Sequence, residues 1–248
     1  MRNLIHLIII VAVGFAGCQK KQQDAQPITP KVVAVPAQLA GAVDKVGGLK
    51  AWADTEIIAC ECTYTVYKAD GTKYITTQRH AVYPWSDTIK VYANEPSGKY
   101  AWSLFREDFK VIEGPNVPDE QLPSEIGNRQ IVEAIWSMLA VPARIASLTN
   151  DNAAPGQEML IDGLWYSPVV LAGDRVYYLE KSSGIINLCL IPGANGKYYL
   201  AKGYAFRPVT DTLIWLPGKI EIFESNAIAT PLKRVVEIDY SRQQTFSF

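Results

Sequence analysis

Residues 57–83 read IIACECTYTVYKADGTKYITTQRHAVY, and the period of that stretch decides the fold. Ile58, Cys60, Cys62, Tyr64 and Val66 alternate with Ala59, Glu61, Thr63, Thr65 and Tyr67. Such a two-residue period is that of a strand with one drier face. Asp70-Gly71 is a hairpin signal, because tight hairpin turns need residues that tolerate positive φ. The return strand covers 73–83, a turn follows at 84–87, and a third strand covers 88–93. Pro96-Ser97-Gly98 turns the chain again into strands at 100–106 and 109–113. Every connection is short, which excludes the crossover helices of a parallel sheet.

Upstream, 37–55 reads as a helix, with Leu39, Val43, Val46, Leu49 and Trp52 on one face. Gly47-Gly48 weakens its middle and allows two shorter helices. Downstream, 114–123 carries three prolines and two acids and is loop. A second helix is expected at 125–147, where Ile131, Ile135, Met138 and Leu139 share a face with Val132, Trp136 lies to one side, and Pro142 kinks or ends it. A polar loop at 149–156 leads to strands at 158–171, 175–181, 185–191, 197–206, 213–224 and 232–240. Thirteen Tyr, seven Phe and six Trp suit a large curved antiparallel sheet. No constant period appears, so a propeller or solenoid is not expected. The expected fold is mainly antiparallel β with α (α+β): an unclosed barrel of about 10–11 strands whose helices cover its concave face.

The first residues carry a different message. Arg2 is followed by an apolar run of about 12 residues, short of the about 20 that a helix needs to cross a bilayer. Its length and charge fit a secretory signal. Phe15-Ala16-Gly17-Cys18 resembles the bacterial lipobox, with Phe in place of the usual Leu. The resemblance implies cleavage after residue 17, diacylglycerol on Cys18 and a further acyl chain such as palmitate on the new amine. Several chains make a stable anchor where one alone is marginal. Gln19 is not the Asp that retains such lipoproteins in the inner membrane of enteric bacteria, so the resemblance points to the outer membrane, facing the periplasm. The expected organisation is a signal peptide at 1–17, a lipidated cysteine and tether at 18–36, one half-barrel domain at 37–242 and a tail at 243–248. Fully extended, the tether reaches about 60 Å.

The order helix, antiparallel run, Pro-containing central helix and second antiparallel run resembles the lipoprotein localisation factor fold, LolA/LolB-like. The segments VGGLKAW (46–52) and LIWLPGKIEIF (213–223) are similar to segments common in outer-membrane lipoprotein-sorting proteins. The resemblance implies an unclosed barrel whose helices lid an apolar cavity for acyl chains. Its soluble carrier lacks a lipid anchor, so Cys18 departs from that pattern. The carrier's inward arginine, which fastens the lid, has Arg79 as its only candidate here.

Chemistry beyond that is sparse. The formal net charge is −1, so no global basic field recruits nucleic acid. Once the signal is removed, His80 is the only histidine. No nucleophile elbow, metalloprotease helix or phosphate loop accompanies it, and it reads as a half-exposed strand residue. Cys60 and Cys62 lie on one strand face, about 6.6 Å apart. With Cys189 they make three thiols, one short of a usual zinc site. A disulfide from Cys189 to Cys60 or Cys62, or buried free thiols, are the two open readings. The acids Glu107, Asp108, Asp119, Glu120 and Asp162 read as solvated charge. No catalytic residue, metal or cofactor is expected.

Scattered aromatics (Trp102, Phe105, Trp136, Trp165, Tyr178, Tyr199, Phe206 and Trp215) either fill an ordinary core or line a cavity. The expectation is a monomeric, lipid-anchored envelope protein that binds a lipid or lipoprotein acyl chain. Ile131, Ile135, Met138 and Leu139 would form the lid's inner face, and Ile58, Tyr64, Trp102 and Trp215 the wall. The alternative is a structural or interaction lipoprotein whose interior is filled by its own side chains.

Overall fold

The computed structural model describes residues 35–95, 98–105, 108–114, 129–146, 156–170, 175–193 and 196–247. The signal segment, Cys18 and tether residues 19–34 lie outside them, as do Glu107, Asp119 and Glu120. The helix expected at 37–55 is two helices, α1 (Ala37–Lys45) and α2 (Gly48–Ala53). Gly47 makes the break, with φ +115°, a conformation that costs a side chain dearly and glycine almost nothing. Strands β1 (Thr55–Tyr67) and β2 (Lys73–Tyr83) form the expected hairpin. A 3-10 turn (Pro84–Ser86) leads to β3 (Thr88–Glu95), β4 (Gly98–Phe105) and β5 (Asp108–Glu113).

The second helical segment is α3 (Arg129–Leu139) and α4 (Val141–Ala146), interrupted at Ala140, just before Pro142. Strands β6 (Met159–Ile161) and β7 (Leu164–Val170) replace the single strand expected at 158–171. Asp162, at φ 50°, and Gly163, at φ 80°, fold that stretch into a hairpin. Then come β8 (Val176–Glu180), β9 (Ile186–Pro192), β10 (Tyr198–Pro208), β11 (Trp215–Ser225) and β12 (Pro231–Ser247). Residues 243–247, expected as a tail, belong to β12 and pair with β1 as far as Thr55 opposite Ser247.

All twelve strands form one antiparallel sheet in the order β5-β4-β3-β2-β1-β12-β11-β10-β9-β8-β7-β6. It is unclosed: β5 and β6 are its two edges. The first and last long strands, β1 and β12, meet at its centre. Helix α3 packs against β9, β10 and β11 and also against β3 and β4. Flat strands that far apart in the order could not both reach one helix about 10 Å wide, so the sheet bends around α3.

The even positions of β1, Ile58 to Val66, are all buried and belong to the main core with α3, as the alternation requires. On β9, Cys189 and Ile191 join that core, while Leu188 and Leu190 join a second apolar cluster on the opposite sheet face with Tyr166, Tyr178 and Leu200. That half of the sheet is dry on both sides. Farther along the same outer face, Lys219, Glu221, Arg234 and Glu237 form an ion network with contacts of 2.7–3.3 Å.

Candidate functional site

Helix α3 is buried on every side from Ile131 to Leu139. Ile131, Val132, Ile135, Met138 and Leu139 are apolar, and each such side chain taken from water contributes about 1.5–3 kcal/mol. Three polar groups go in with them. Glu133 is paired with Arg175, which stands just before β8; their side chains are 8% and 15% exposed. Ser137 Oγ lies within reach of the Tyr177 hydroxyl and the Cys189 thiol. Among the described residues the Nε1 of Trp136 has no hydrogen-bond partner. An unmet buried donor costs about 1–3 kcal/mol, so the seat of the helix is imperfect at that ring. At the far end, Arg144 on α4 reaches Asp87, beside the 3-10 turn, at 3.1 Å and lies 4.6 Å over the ring of Trp136.

Between the two helical pairs runs a crevice. Val46 and Trp52 from α1–α2 form one lip, Pro142 and Ile145 from α4 the other, and Met138, Phe206 and Trp215 lie between. The side chains that line it are all of apolar residues and include Met138, Leu139 and Trp215 of the expected set. The first lip is fixed. Trp52 Nε1 donates to the Val46 carbonyl at 2.9 Å, and the Trp215 amide donates to the same oxygen at 3.2 Å. Trp215 is 41% exposed at the mouth rather than part of an inner wall.

At this crevice the described residues leave no roomy interior. The crevice encloses about 10 Å³, one water at most, where ligand pockets run to about 300–1,000 Å³. Ile131 and Ile135 are buried in the core but do not line the crevice. Ile58 and Tyr64 lie in the core under the centre of the sheet, and Trp102 stacks on Tyr100 at 5.8 Å. Phe206, one of the aromatics expected to fill a core or line a cavity, lines the crevice, as does Ile186, which was not singled out from the sequence. Phe206 sits one residue past Ala205, whose φ of 50° shifts the strand's facing.

Cys60, Cys62 and Cys189 are free and buried, so the disulfide reading does not hold here and the buried-thiol one does. Burial pushes the Cys62 and Cys189 thiols up to about 12, and Cys60 higher still. None is a thiolate nucleophile. His80 corrects the half-exposed reading, because it is 1% exposed. It faces Cys60 across the hairpin, its Nε2 lies 3.0 Å from Gln78 Oε1, and burial holds its imidazole down at about 3. Among the described residues no group of three His, Cys, Asp or Glu could hold a metal ion. Arg79 does not turn inward; it is exposed and pairs with Glu61 at 3.4 Å. Asp162 pairs with Lys202, and Asp108 with Lys110. Among the described residues no helix is long and apolar enough to cross a membrane.

No family model matches the sequence, and no curated protein does. Solved structures do. A LolA superfamily protein from Nitrosomonas europaea superposes with a TM-score of 0.52 at 11% identity, over 87% of this chain and 95% of that one. A DUF1329 family protein from Desulfovibrio piger gives a TM-score of 0.43 at 10% identity, over 86% and 94%. The first likeness establishes that the fold is LolA-like, as the order of elements led one to expect.

Proposed function

We propose that this chain is a lipid-anchored envelope protein that takes one hydrocarbon chain into the space now filled by α3 and α4, on the concave face of the half-barrel. The observation that carries this reading is the crevice lining: it presents no polar side chain, and its mouth is open at Trp215. Each methylene moved there from water contributes about 0.8 kcal/mol without any catalytic group. At about 10 Å³ the present form is closed, so uptake requires α4 to swing away from α1–α2. The break at Ala140 and the unmet Trp136 donor make that displacement cheaper than unseating a fully satisfied helix. Anchoring through Cys18, an outer-membrane address and a role in lipid or lipoprotein traffic belong to the same proposal.

The small enclosed volume favours a second reading, a tethered interaction module whose helices simply complete its core. Delipidated protein titrated with a fluorescent fatty acid separates the two. Saturable binding at one site, displaced by unlabelled palmitate, supports uptake. Absence of binding up to the probe's solubility leaves the interaction module.

A further inference from the structure

We infer that the end of the domain carrying α1–α2 rests on a phospholipid bilayer, through two exposed apolar patches that flank those helices. The inference rests on the proposed anchoring and uptake, and adds where the crevice mouth points.

The first patch is Leu213, 72% exposed, beside Trp215, 41% exposed, at the β10–β11 turn. It is held against the α1–α2 elbow. The Trp215 amide bonds to Val46, and a Cβ on Gly47 would come within 2.5 Å of the Leu213 carbonyl oxygen. The second patch is Trp165, 56% exposed, at the start of β7, with its cross-strand partner Leu160, 58% exposed, on β6. Its link to the same helices runs through the β8–β9 turn. The Lys181 amide donates to the Trp165 carbonyl at 2.9 Å, and Gly184 lies against the Lys45 side chain at the end of α1. One tryptophan and one leucine thus stand on either side of α1–α2.

Three features select a lipid surface as the occupant. Tryptophan is enriched at the bilayer interface, where its apolar ring and N–H both find partners. The N-terminal stretch that begins at Cys18 joins the domain at the start of α1, one helix length (~13 Å) from the elbow that the patches touch, so an anchored chain keeps this end within reach of the membrane. Tethering also raises the effective concentration to the millimolar range, so weak docking suffices. Trp215 belongs both to the patch and to the crevice mouth, so a docked domain would pass a hydrocarbon tail from bilayer to crevice without crossing water.

The test uses the mature chain with Cys18→Ala, which removes the anchor and keeps the tether, and phosphatidylcholine–phosphatidylethanolamine vesicles with brominated acyl chains. Docking predicts co-sedimentation and bromine quenching of tryptophan fluorescence. Leu160→Glu with Leu213→Glu should weaken partitioning about tenfold or more. Ile75→Glu with Leu232→Glu, at the opposite end of the strands, should leave it unchanged. Absence of quenching, or an equal loss in both pairs, overturns the inference. Fatty-acid binding without vesicles is read in parallel. If it survives while vesicle binding is absent, docking fails and uptake stands. If it is absent while docking persists, uptake is the part that fails.

Discussion

The Nδ1 of His80, on β2, lies 3.2 Å from the hydroxyl of Tyr240, on β12, with β1 running between their strands. The two rings meet edge to face at 5.7 Å. Gln78 Oε1 and Cys62 Sγ both face Nε2, at 3.0 and 3.7 Å, and complete burial keeps the imidazole neutral. The second and the last strand of the chain are thereby joined across β1 near the centre of the sheet.

A pH dependence follows from that neutral ring. Burial holds the folded pKa at about 3, against 6.5 in the unfolded chain. Between those values the unfolded state binds one more proton, so His80 removes stability as pH falls, by about 1.4 kcal/mol per unit. Its contribution is fully present above 6.5 and lost toward 3. His80→Gln should cost about 1–3 kcal/mol near pH 7, and the gap to wild type should narrow on acidification. Urea unfolding at about pH 7, 5.5 and 4.5 checks this; a gap that stays constant would mean that the ring is not held neutral.

Glu221, on the outer face, supplies a second acid-sensitive contribution. Burial alone would raise its pKa, but hydrogen bonds from Arg234 and Tyr204, with Lys219 nearby, bring it below the usual carboxylate value. A depressed carboxylate contributes stability above its unfolded pKa of about 4.5, lost as pH falls through the folded value. Because the Arg234 side chain is 36% exposed, solvent screening keeps the worth modest. Glu221→Gln should cost about 0.5–1 kcal/mol at neutral pH, and the cost should shrink as pH falls below the unfolded value, read from the same unfolding curves.

The Glu133–Arg175 pair behaves differently, since both side chains are largely buried. Glu133→Ala strands a guanidinium inside the protein and should cost about 3–5 kcal/mol. Replacing both partners by Leu should restore most of that loss. If the double variant is as unstable as the single one, the pair holds more than its own charges. A double-mutant cycle measures the coupling.

How much of this was legible beforehand depends on which signal each residue carries. Cys60, Cys62 and Tyr64 announced their facing through alternation, and burial follows it. On β2 the inward set is Thr76, Gln78, His80 and Val82. Three of the four are polar, so no hydrophobic period marked that face, and the burial of His80 was invisible. Helix α3 falls within the expected 125–147 segment on its apolar stripe, but that stripe carried no sign that Glu133 and Ser137 go inside as well. They are buried because the sheet bends around the helix, which no local pattern encodes. The crevice depends on φ values at Gly47 and Ala205 that bring α1–α2 and Phe206 together from distant stretches.

Gly47→Ala tests that assembly. The residue's φ of +115° disfavours any side chain, and the new methyl would meet the Leu213 carbonyl oxygen. Gly71 offers a matched control, with φ +84° and nothing within 4 Å of a built Cβ. Gly71→Ala should cost only the backbone conformational preference, about 1 kcal/mol. Gly47→Ala should cost about 2 kcal/mol or more, because backbone must also move. Equal melting temperatures for the two variants would show that the α1–α2 elbow does not press on the β10–β11 turn.

Met138→Ala bears most directly on whether the interior can accept a guest. Met138 lines the crevice, and its Cε lies 3.1 Å from where a Cβ on Gly203 would stand. Truncation removes atoms from a space of only about 10 Å³ and should destabilise the protein by about 2–5 kcal/mol. If α3 and α4 occupy a ligand's place, the enlarged crevice should bind palmitate more tightly than wild type does. Saturating palmitate should then recover part of the lost stability by mass action, about 2.7 kcal/mol at one hundred times Kd. Thermal unfolding with and without palmitate reads both quantities. A variant that stays destabilised whatever the lipid concentration would place this chain with the interaction modules, because a cavity lined like this one fails to bind a tail only if no path leads into it.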